Sequence, residues 1–408
     1  MITSSDDLET ISRVTREWLE NHLDAKWKDA ALSGDVATVS ALQANTELAA
    51  SWFARLGGSG LAIPSWPTEY GGLGLGADGA AMVADELERL MAGRPMSDFV
   101  GIALAGPTIV EWGTHEQKSR FLPPLARGTE RWCQLFSEPG AGSDLASLST
   151  KATRLPDGSW RIDGQKVWNS FADVSDFGLL MARTDPSAPK HKGITYFLLD
   201  MKTPGVVVKP LKQLNGDSEF SEVFFDGAVI QDGARIGEIN GGWAVAMTTL
   251  TQERSGLSGR PGVGPGRVDR LAARARVSGA WDDPVLRDAV MTAFVAERAL
   301  QMTTVKAFAE VDAGAPTSEG SMRKLAHCTL EVELGLLGLQ IEPSGALGWD
   351  DGDADAARAA DAFLSSKILS IAGGTSEIQR NIIGERILGL PRERDPFADK
   401  PFAERPRA

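Results

Sequence analysis

Apolar residues recur at helical spacing through the first third of the chain. Leu8, Ile11, Val14, Trp18, Leu19 and Leu23 share one face over residues 6–27, and the same period continues over 36–56 and 79–91. Between Trp132 and Val229 the texture changes to short alternating or β-branched runs at 159–162, 178–182, 195–199, 206–210 and 222–225. Turn signals separate them: Pro156-Asp157-Gly158, Asp163-Gly164, Thr203-Pro204-Gly205 and Asn215-Gly216. This middle stretch is predicted to be a compact antiparallel β domain. After Gly241 the helical period returns over 243–254, 285–311, 322–339 and 356–369, and a last helix begins near Thr375. Asp283 followed by Pro284 supplies an N-cap and a first-turn proline for one of these. The pattern predicts an α+β chain with a helical domain over 1–131, a β domain over 132–238 and a second helical domain over 239–408. The Gly/Pro-rich stretch 255–266 and the acidic stretch 349–354 read as loops.

A chain of 408 residues exceeds one ordinary core, and 42% hydrophobic residues are ample for two or three. A net charge of −13 and the lack of a Lys/Arg-rich block argue against nucleic acid or an anionic membrane as the main partner. No apolar run approaches the roughly 18 residues that span a bilayer, and residues 1–9 lack a basic region followed by an apolar one. A cytoplasmic protein without membrane insertion is therefore expected. Cys133 and Cys328 stand far apart without ligand-type neighbours, so both are expected reduced and packed. His22, His191 and His327 form no metal pair, and His115, in a helix-opening segment, is read as a capping residue. Residues 349–355 mimic a calcium loop in composition but lack its terminal Glu, so no metal centre is expected.

The stretch 135–146, Leu-Phe-Ser-Glu-Pro-Gly-Ala-Gly-Ser-Asp-Leu-Ala, runs from an apolar strand into a glycine-rich turn. Gly140 and Gly142 permit left-handed backbone and close approach to an anionic or electron-rich ligand, and Ser137 and Ser143 add donors. Such a turn suits a phosphate-bearing cofactor, although a plain structural loop has the same composition. Gly373-Gly374-Thr375 opens a helix, so its free N–H groups face any nearby anion or carbonyl.

Five segments, in order, resemble the acyl-CoA dehydrogenase family over most of the chain. They are Trp66-Pro-Thr-Glu-Tyr-Gly-Gly-Leu-Gly74, the stretch 136–144, Lys166-Val-Trp-Asn-Ser170, Asn215-Gly-Asp217 leading to Glu222-Val-Phe-Phe225, and Ile371-Ala-Gly-Gly-Thr-Ser-Glu-Ile-Gln-Arg380. The resemblance implies a C-terminal four-helix bundle and non-covalent FAD lying between the β domain and the C-terminal helices. By position, Phe136, Ser137, Gly142, Ser143, Trp168 and Ser170 would line the flavin and its ribityl-phosphate chain, joined by Thr375 and Glu377. Taken alone, Trp168 reads more readily as a strand tryptophan packed in a sandwich core. Ser143 and Arg254 are assigned to the substrate side, with Arg254 also orienting the neighbouring carboxylate.

The reaction that the resemblance implies removes a proton from Cα of an acyl-CoA while hydride leaves Cβ for the flavin, giving a trans-2-enoyl-CoA. A weakly acidic thioester α-proton needs a positioned carboxylate and a donor to the carbonyl. Many family members place that carboxylate two residues before the Thr of the last motif, where this chain has Gly373. Branched-chain and long-chain types place it earlier, in a Leu-x-x-Glu-Arg setting, and this chain reads Leu250-Thr-Gln-Glu-Arg254. Glu253 is thus expected as the base, with the Gly373 N–H donating to the thioester carbonyl.

Two further departures shape the expectations. Pro261, Pro265 and the glycines of 255–266 interrupt a helix that the family usually continues, which suggests a wider pocket for a bulky, cyclic or branched acyl group. Residues 276–280 and 340–348 replace segments by which family tetramers complete a neighbour's FAD site. The chain is therefore expected in a homo- or hetero-oligomer, a dimer of dimers, possessing the heteromeric option in which related chains share flavins. An electron-transfer flavoprotein is the implied electron acceptor, in fatty acid or steroid side-chain catabolism. A non-catalytic partner subunit and a flavin oxygenase or oxidase on the same fold are the alternatives.

Overall fold

A computed structural model describes residues 2–95, 98–257, 266–312, 319–342 and 354–406. The chain forms two compact units: Met1–Lys212 with Ser218–Gln252 and Pro396–Ala408, and Gln213–Asp217 with Glu253–Asp395.

The first unit opens with helices α1 (Leu8–His22), α2 (Ala25–Ser33), α3 (Val36–Ala44), α4 (Thr46–Gly58), α5 (Ala77–Arg89), α6 (Gly106–Trp112) and α7 (His115–Arg127). The apolar period over 6–27 and 36–56 is thus carried by two helices in each stretch. The breaks are made by caps: Asp7, Asp24, Asp35 and Asn45 accept from the amides of Thr10, Trp27, Thr38 and Leu48. Leu19, Trp27, Trp52, Leu56, Val83 and Leu90 form the core of this bundle. The indoles of Trp27 and Trp52 donate to the carbonyls of Leu90 and Ala92 at 3.1 and 2.9 Å, so their polar edges are satisfied inside it. Thr114, rather than His115, caps α7, in a reciprocal pair with Gln117; a hydroxyl at N-cap reaches the N3 amide, whereas His115 occupies the first helical position.

The β layer comprises β1 (Trp132–Leu135), β2 (Lys151–Arg154), β3 (Trp160–Ser170), β4 (Phe177–Arg183), β5 (Ile194–Asp200), β6 (Val206–Leu211), β7 (Phe220–Ile230) and β8 (Arg235–Ile236). Their order is β6-β7-β3-β2-β4-β5-β8, with β1 on β4. The sheet is not wholly antiparallel, because β1 and β2 run parallel to β4. Strand β4 buries both faces, which is why it reads as a continuous apolar run. Leu179 and Met181 join Ile109 and Leu122 of the helices, while Leu180 and Ala182 join Phe197 and Leu199 in the sheet's own core. The C-terminal segment returns to this unit: Phe402 N donates to Ala188 O at 2.9 Å, and the Arg183 guanidinium lies 3.8 Å from the Phe402 ring.

Helix α8 (Gly242–Leu257) carries the chain from the first unit into the second. The second unit holds α9 (Arg267–Ser278), α10 (Pro284–Asp312), α11 (Glu319–Ile341), α12 (Ala354–Ser365) and α13 (Ser376–Ile382). Helix α11 packs on α9, α10, α12 and α13, around Val268, Ala275, Val290, Ala293, Leu330 and Leu337. Asp283 accepts from Val285 N at 2.8 Å, as its place before Pro284 predicts. Helix α9, which the apolar period does not reveal, takes its cap from a distance: the Glu297 carboxylate of α10 accepts from the amides of Arg267 and Val268 at 2.9 and 3.3 Å. Of the stretch read as a loop over 255–266, residues through Leu257 are helical and 258–265 lie outside the described residues. The loop read at 349–354 lies outside them as well, except for Ala354, which opens α12. Among the described residues, no helix is long and apolar enough to cross a membrane, and no group of His, Cys, Asp and Glu could hold a metal ion. Both cysteines are free and buried.

Candidate active site

In the first unit, the glycine-rich turn rests on a buried ion pair. Lys166 Nζ, on β3, donates to Glu138 Oε1 and to Phe136 O, each at 2.8 Å. Glu138 also accepts from Ser149 N at 2.7 Å, Ser149 Oγ at 2.9 Å and Thr150 N at 2.8 Å. Burial works to raise the Glu138 pKa; Lys166 and the Ser149 and Thr150 donors outweigh it and hold the carboxyl below the usual range. Glu138 and Ala141 exchange backbone hydrogen bonds of 3.1 and 3.0 Å, closing the turn. Gly140 and Gly142 do not adopt the expected left-handed conformation, because this short bridge is closed without it. A Cβ at either position would meet nothing within 4 Å, so their value lies in open space above the turn. Exposed Ser143 follows, and next to it Asp144 is held by Ser147 Oγ at 2.6 Å and Lys190 Nζ at 2.8 Å.

Beside this turn, β3 bulges. Its register with β7 shifts between Lys166 and Asn169, and Trp168 takes φ 63°, a left-handed conformation that costs a bulky residue energy. The bulge redirects Val167 N to Ser137 O at 2.9 Å and Asn169 Nδ2 to Gln134 O at 2.7 Å. The Trp168 side chain is therefore not part of the sandwich core: the residue is 63% exposed, with an edge contact to Phe220 at 6.2 Å. Phe136 is buried edge-on to Tyr196 at 5.7 Å, and Ser170, half-buried, pairs with Phe220. Phe136, Ser137, Trp168 and Ser170 are thus brought together, with Gly142 and Ser143 in the adjoining turn. Asn169 Oδ1 is buried with no partner among the described residues.

The second unit presents a separate cluster. Gly373 and Gly374 take φ 64° and 92°, a pair of left-handed residues for which glycine is suited. Thr375 caps the short α13, its hydroxyl accepting from Ile378 N at 3.3 Å. Gln379 Nε2 donates to the carbonyls of Gly373 and Gly374 at 3.0 and 3.3 Å, and Lys324 Nζ of α11 donates to Gly374 O. Burial favours the neutral form of Lys324, while Cys328, Glu253 and Glu377 attract its charge. Glu253 is half-buried on α8, and the side chain of Arg254 lies outside the described residues. Glu377 is exposed, its carboxyl lowered by its own backbone N–H and the Thr375 hydroxyl.

Sequence reading did not single out Lys166, Glu138 or Lys324 as parts of these clusters.

Models of the acyl-CoA dehydrogenase N-terminal, middle and C-terminal domains match residues 5–129, 133–228 and 240–388. The acyl-CoA dehydrogenase IpdE1 of Mycolicibacterium smegmatis is 38% identical, covering 93% of this chain and 96% of its own length. Among solved structures, the Tcur3481-Tcur3483 steroid ACAD matches with TM-score 0.78 and 28% identity over 96% of this chain and 100% of that one. The ChsE4-ChsE5 complex from Mycobacterium tuberculosis matches with TM-score 0.75 and 27% identity over the same shares, 96% and 100%.

Proposed function

This chain belongs to the acyl-CoA dehydrogenase family, and on that premise we propose that it oxidises the α,β bond of an acyl-CoA thioester to the trans-2-enoyl-CoA with FAD as cofactor. The residues of the first unit fit a flavin. An exposed indole offers a ring face, open space lies above Gly140 and Gly142, the Ser137 and Ser170 hydroxyls can donate, and the buried Asn169 Oδ1 lacks a partner. Phe136, Ser137, Gly142, Ser143, Trp168 and Ser170 would hold the cofactor. When bound, FAD supplies the hydride acceptor.

The rest of the chemistry falls to the chain. Glu253 takes the proton from Cα, and the Gly373 N–H donates to the thioester carbonyl as charge develops there. One such donor is worth roughly 3 kcal/mol in the transition state. The observation that carries this reading is the match of all three family domains, together with a left-handed Gly373-Gly374 turn whose carbonyls are held by Gln379 and Lys324.

The acyl group is bulky and ring-bearing in this proposal, a reading that the printed description of the steroid ACAD supports. A second, related chain completes the assembly, as the paired names of the two matching complexes suggest. Electrons pass to an electron-transfer flavoprotein in the cytoplasm. The test is to purify the chain alone and with candidate partner chains, then add linear, branched and ring-bearing acyl-CoAs. A yellow protein that bleaches fastest with ring-bearing substrates, and about a hundredfold or more slower after Glu253→Gln, meets the proposal. A protein that stays colourless when purified alone would instead support a non-catalytic partner subunit. A Glu253→Gln variant with unchanged turnover would point to an oxygenase or oxidase.

A further inference from the structure

Helix α8 is held within the first unit by hydrogen bonds as well as by packing. Its inner face is Gly242, Val245, Ala246 and Thr249, a helical stripe in which only the last member carries a hydroxyl. That hydroxyl is fully buried, as are Tyr196 of β5 and Thr108 of α6, and the three oxygens form a chain. Tyr196 Oη lies 3.0 Å from Thr249 Oγ1, which lies 2.8 Å from Thr108 Oγ1. Thr108 Oγ1 in turn donates to Leu104 O at 2.7 Å, so a single direction of donation satisfies all three hydroxyls. A buried hydroxyl without a partner is costly, and a slip of α8 by one residue would bring Thr248 or Leu250 to this point and break the chain. Thr249 therefore specifies the rotation and register of the helix, which a valine of the same shape would leave to packing alone.

The start of α8 is fixed as well. A Cβ on Gly242 would lie 2.6 Å from the backbone of Thr195 and Tyr196, so the helix begins in direct contact with β5. Asn240, left-handed at φ 63°, donates from its amide to Thr195 Oγ1 at 2.9 Å and accepts from Thr184 Oγ1 at 2.6 Å. Tyr196 is also the residue against which Phe136 packs edge-on. One residue of β5 thus meets both the stretch proposed to line the flavin and the helix whose next turn carries Glu253.

Resting on the function proposed above, we propose that Thr249 is a positioning residue for proton abstraction: its hydroxyl, bonded to Tyr196 and Thr108, sets the rotation and register with which α8 carries Glu253.

Thr249→Val keeps the shape and removes the hydroxyl, whereas Thr249→Ser keeps the hydroxyl. Flavin reduction by saturating acyl-CoA is followed in a single turnover and expressed per bound flavin, with hydrogen or deuterium at Cα. Thr249→Val is expected to slow it about tenfold with KM changed less than about twofold, and to enlarge the Cα isotope effect, because proton transfer becomes the slower event. Thr249→Ser should retain most of the rate. In the flavin-free protein, amide exchange over 242–253 should rise several-fold in Thr249→Val and stay near the original in Thr249→Ser. Should Thr249→Val fail to fold, Thr108→Val breaks the same chain without altering α8, and the same slowing is expected. Reduction at the original rate without the hydroxyl, or slowing that serine does not relieve, overturns the inference while a slow Glu253→Gln keeps the base assignment intact. Full turnover by Glu253→Gln removes the base assignment and this inference with it.

Discussion

Lys166 and Glu138 form an ion pair of 2.8 Å beneath the glycine-rich turn, with both side chains almost entirely out of solvent. The pair ties β3 to the residues that follow β1, and the same ammonium also holds the Phe136 carbonyl. Removing one member of such a pair strands the other as a buried charge, which typically costs about 3–5 kcal/mol. Lys166→Met is therefore expected to lose about that much stability in urea unfolding and to purify with little flavin. A Lys166→Met/Glu138→Leu double variant should regain most of the stability, because no uncompensated charge remains. A single variant as stable as the original chain would show that the pair is not needed to support the turn.

Trp168 stores backbone strain at the bulge while its ring makes little contact with the rest of the first unit. Glycine takes the same conformation without a Cβ penalty, so Trp168→Gly should stabilise the flavin-free protein by up to about 1 kcal/mol. If the ring lies against the flavin, the same substitution weakens FAD binding about tenfold or more, since 1.4 kcal/mol of lost stacking is a factor of ten. Thermal melting of the stripped protein and fluorescence titration with FAD measure the two effects separately. Equal losses in both would mean that the indole packs structurally after all.

The order of helices and strands was legible in the chain because periodicity reports burial directly. The run at 178–182 became β4, and Asp283-Pro284 began α10 where capping rules place it. What escaped notice depended on partners distant in sequence. Helix α9 is capped by Glu297 from the following helix, and no local signal announces that bond. The parallel pairing of β1 with β4 is a matter of topology, which alternation along either strand does not encode. At the candidate site, the motif residues were readable one by one. Their supports were not, because a lysine in sequence normally signals solvent: Lys166 opens one of the motifs without its buried ion pair being evident, and Lys324 comes from a separate helix.

The two cysteines offer a check on the packing. Burial pushes the Cys133 thiol up to about 12, and its Sγ lies 3.8 Å from Met201 Sδ. Burial also raises Cys328, whose Sγ donates to Leu369 O at 2.8 Å. Thiolate is the reactive form, so both should resist an aromatic disulfide reagent at pH 8. The native protein is expected to stay unlabelled over an hour and to release two equivalents after denaturation in guanidinium. Rapid labelling of the native protein would mean that one of these cores opens readily.

His327 on α11 predicts how the second unit responds to acid. Burial first, then the charges of Arg267, Arg323 and Lys324, push its pKa from 6.5 down to about 4. The 3.2 Å contact with Arg267 Nη2 requires the imidazole Nδ1 to accept, so the neutral ring is the one that fits. In the unfolded chain the same ring binds a proton near its ordinary value. Between about pH 6.5 and 4 the unfolded state therefore holds the extra proton, and stability falls as pH drops through that window. The loss levels off below it, where both states are protonated, and reaches about 3 kcal/mol. The buried carboxylate Glu138 acts in a lower range: its stabilising contribution is complete above its ordinary value of 4.5 and is lost only at more acidic pH. His327→Gln can keep an acceptor for Arg267 without titrating, so denaturant unfolding at pH 4.5, 5.5, 6.5 and 7.5 should show a flatter profile for the variant. Parallel profiles for the two proteins would mean that another group governs the acid response.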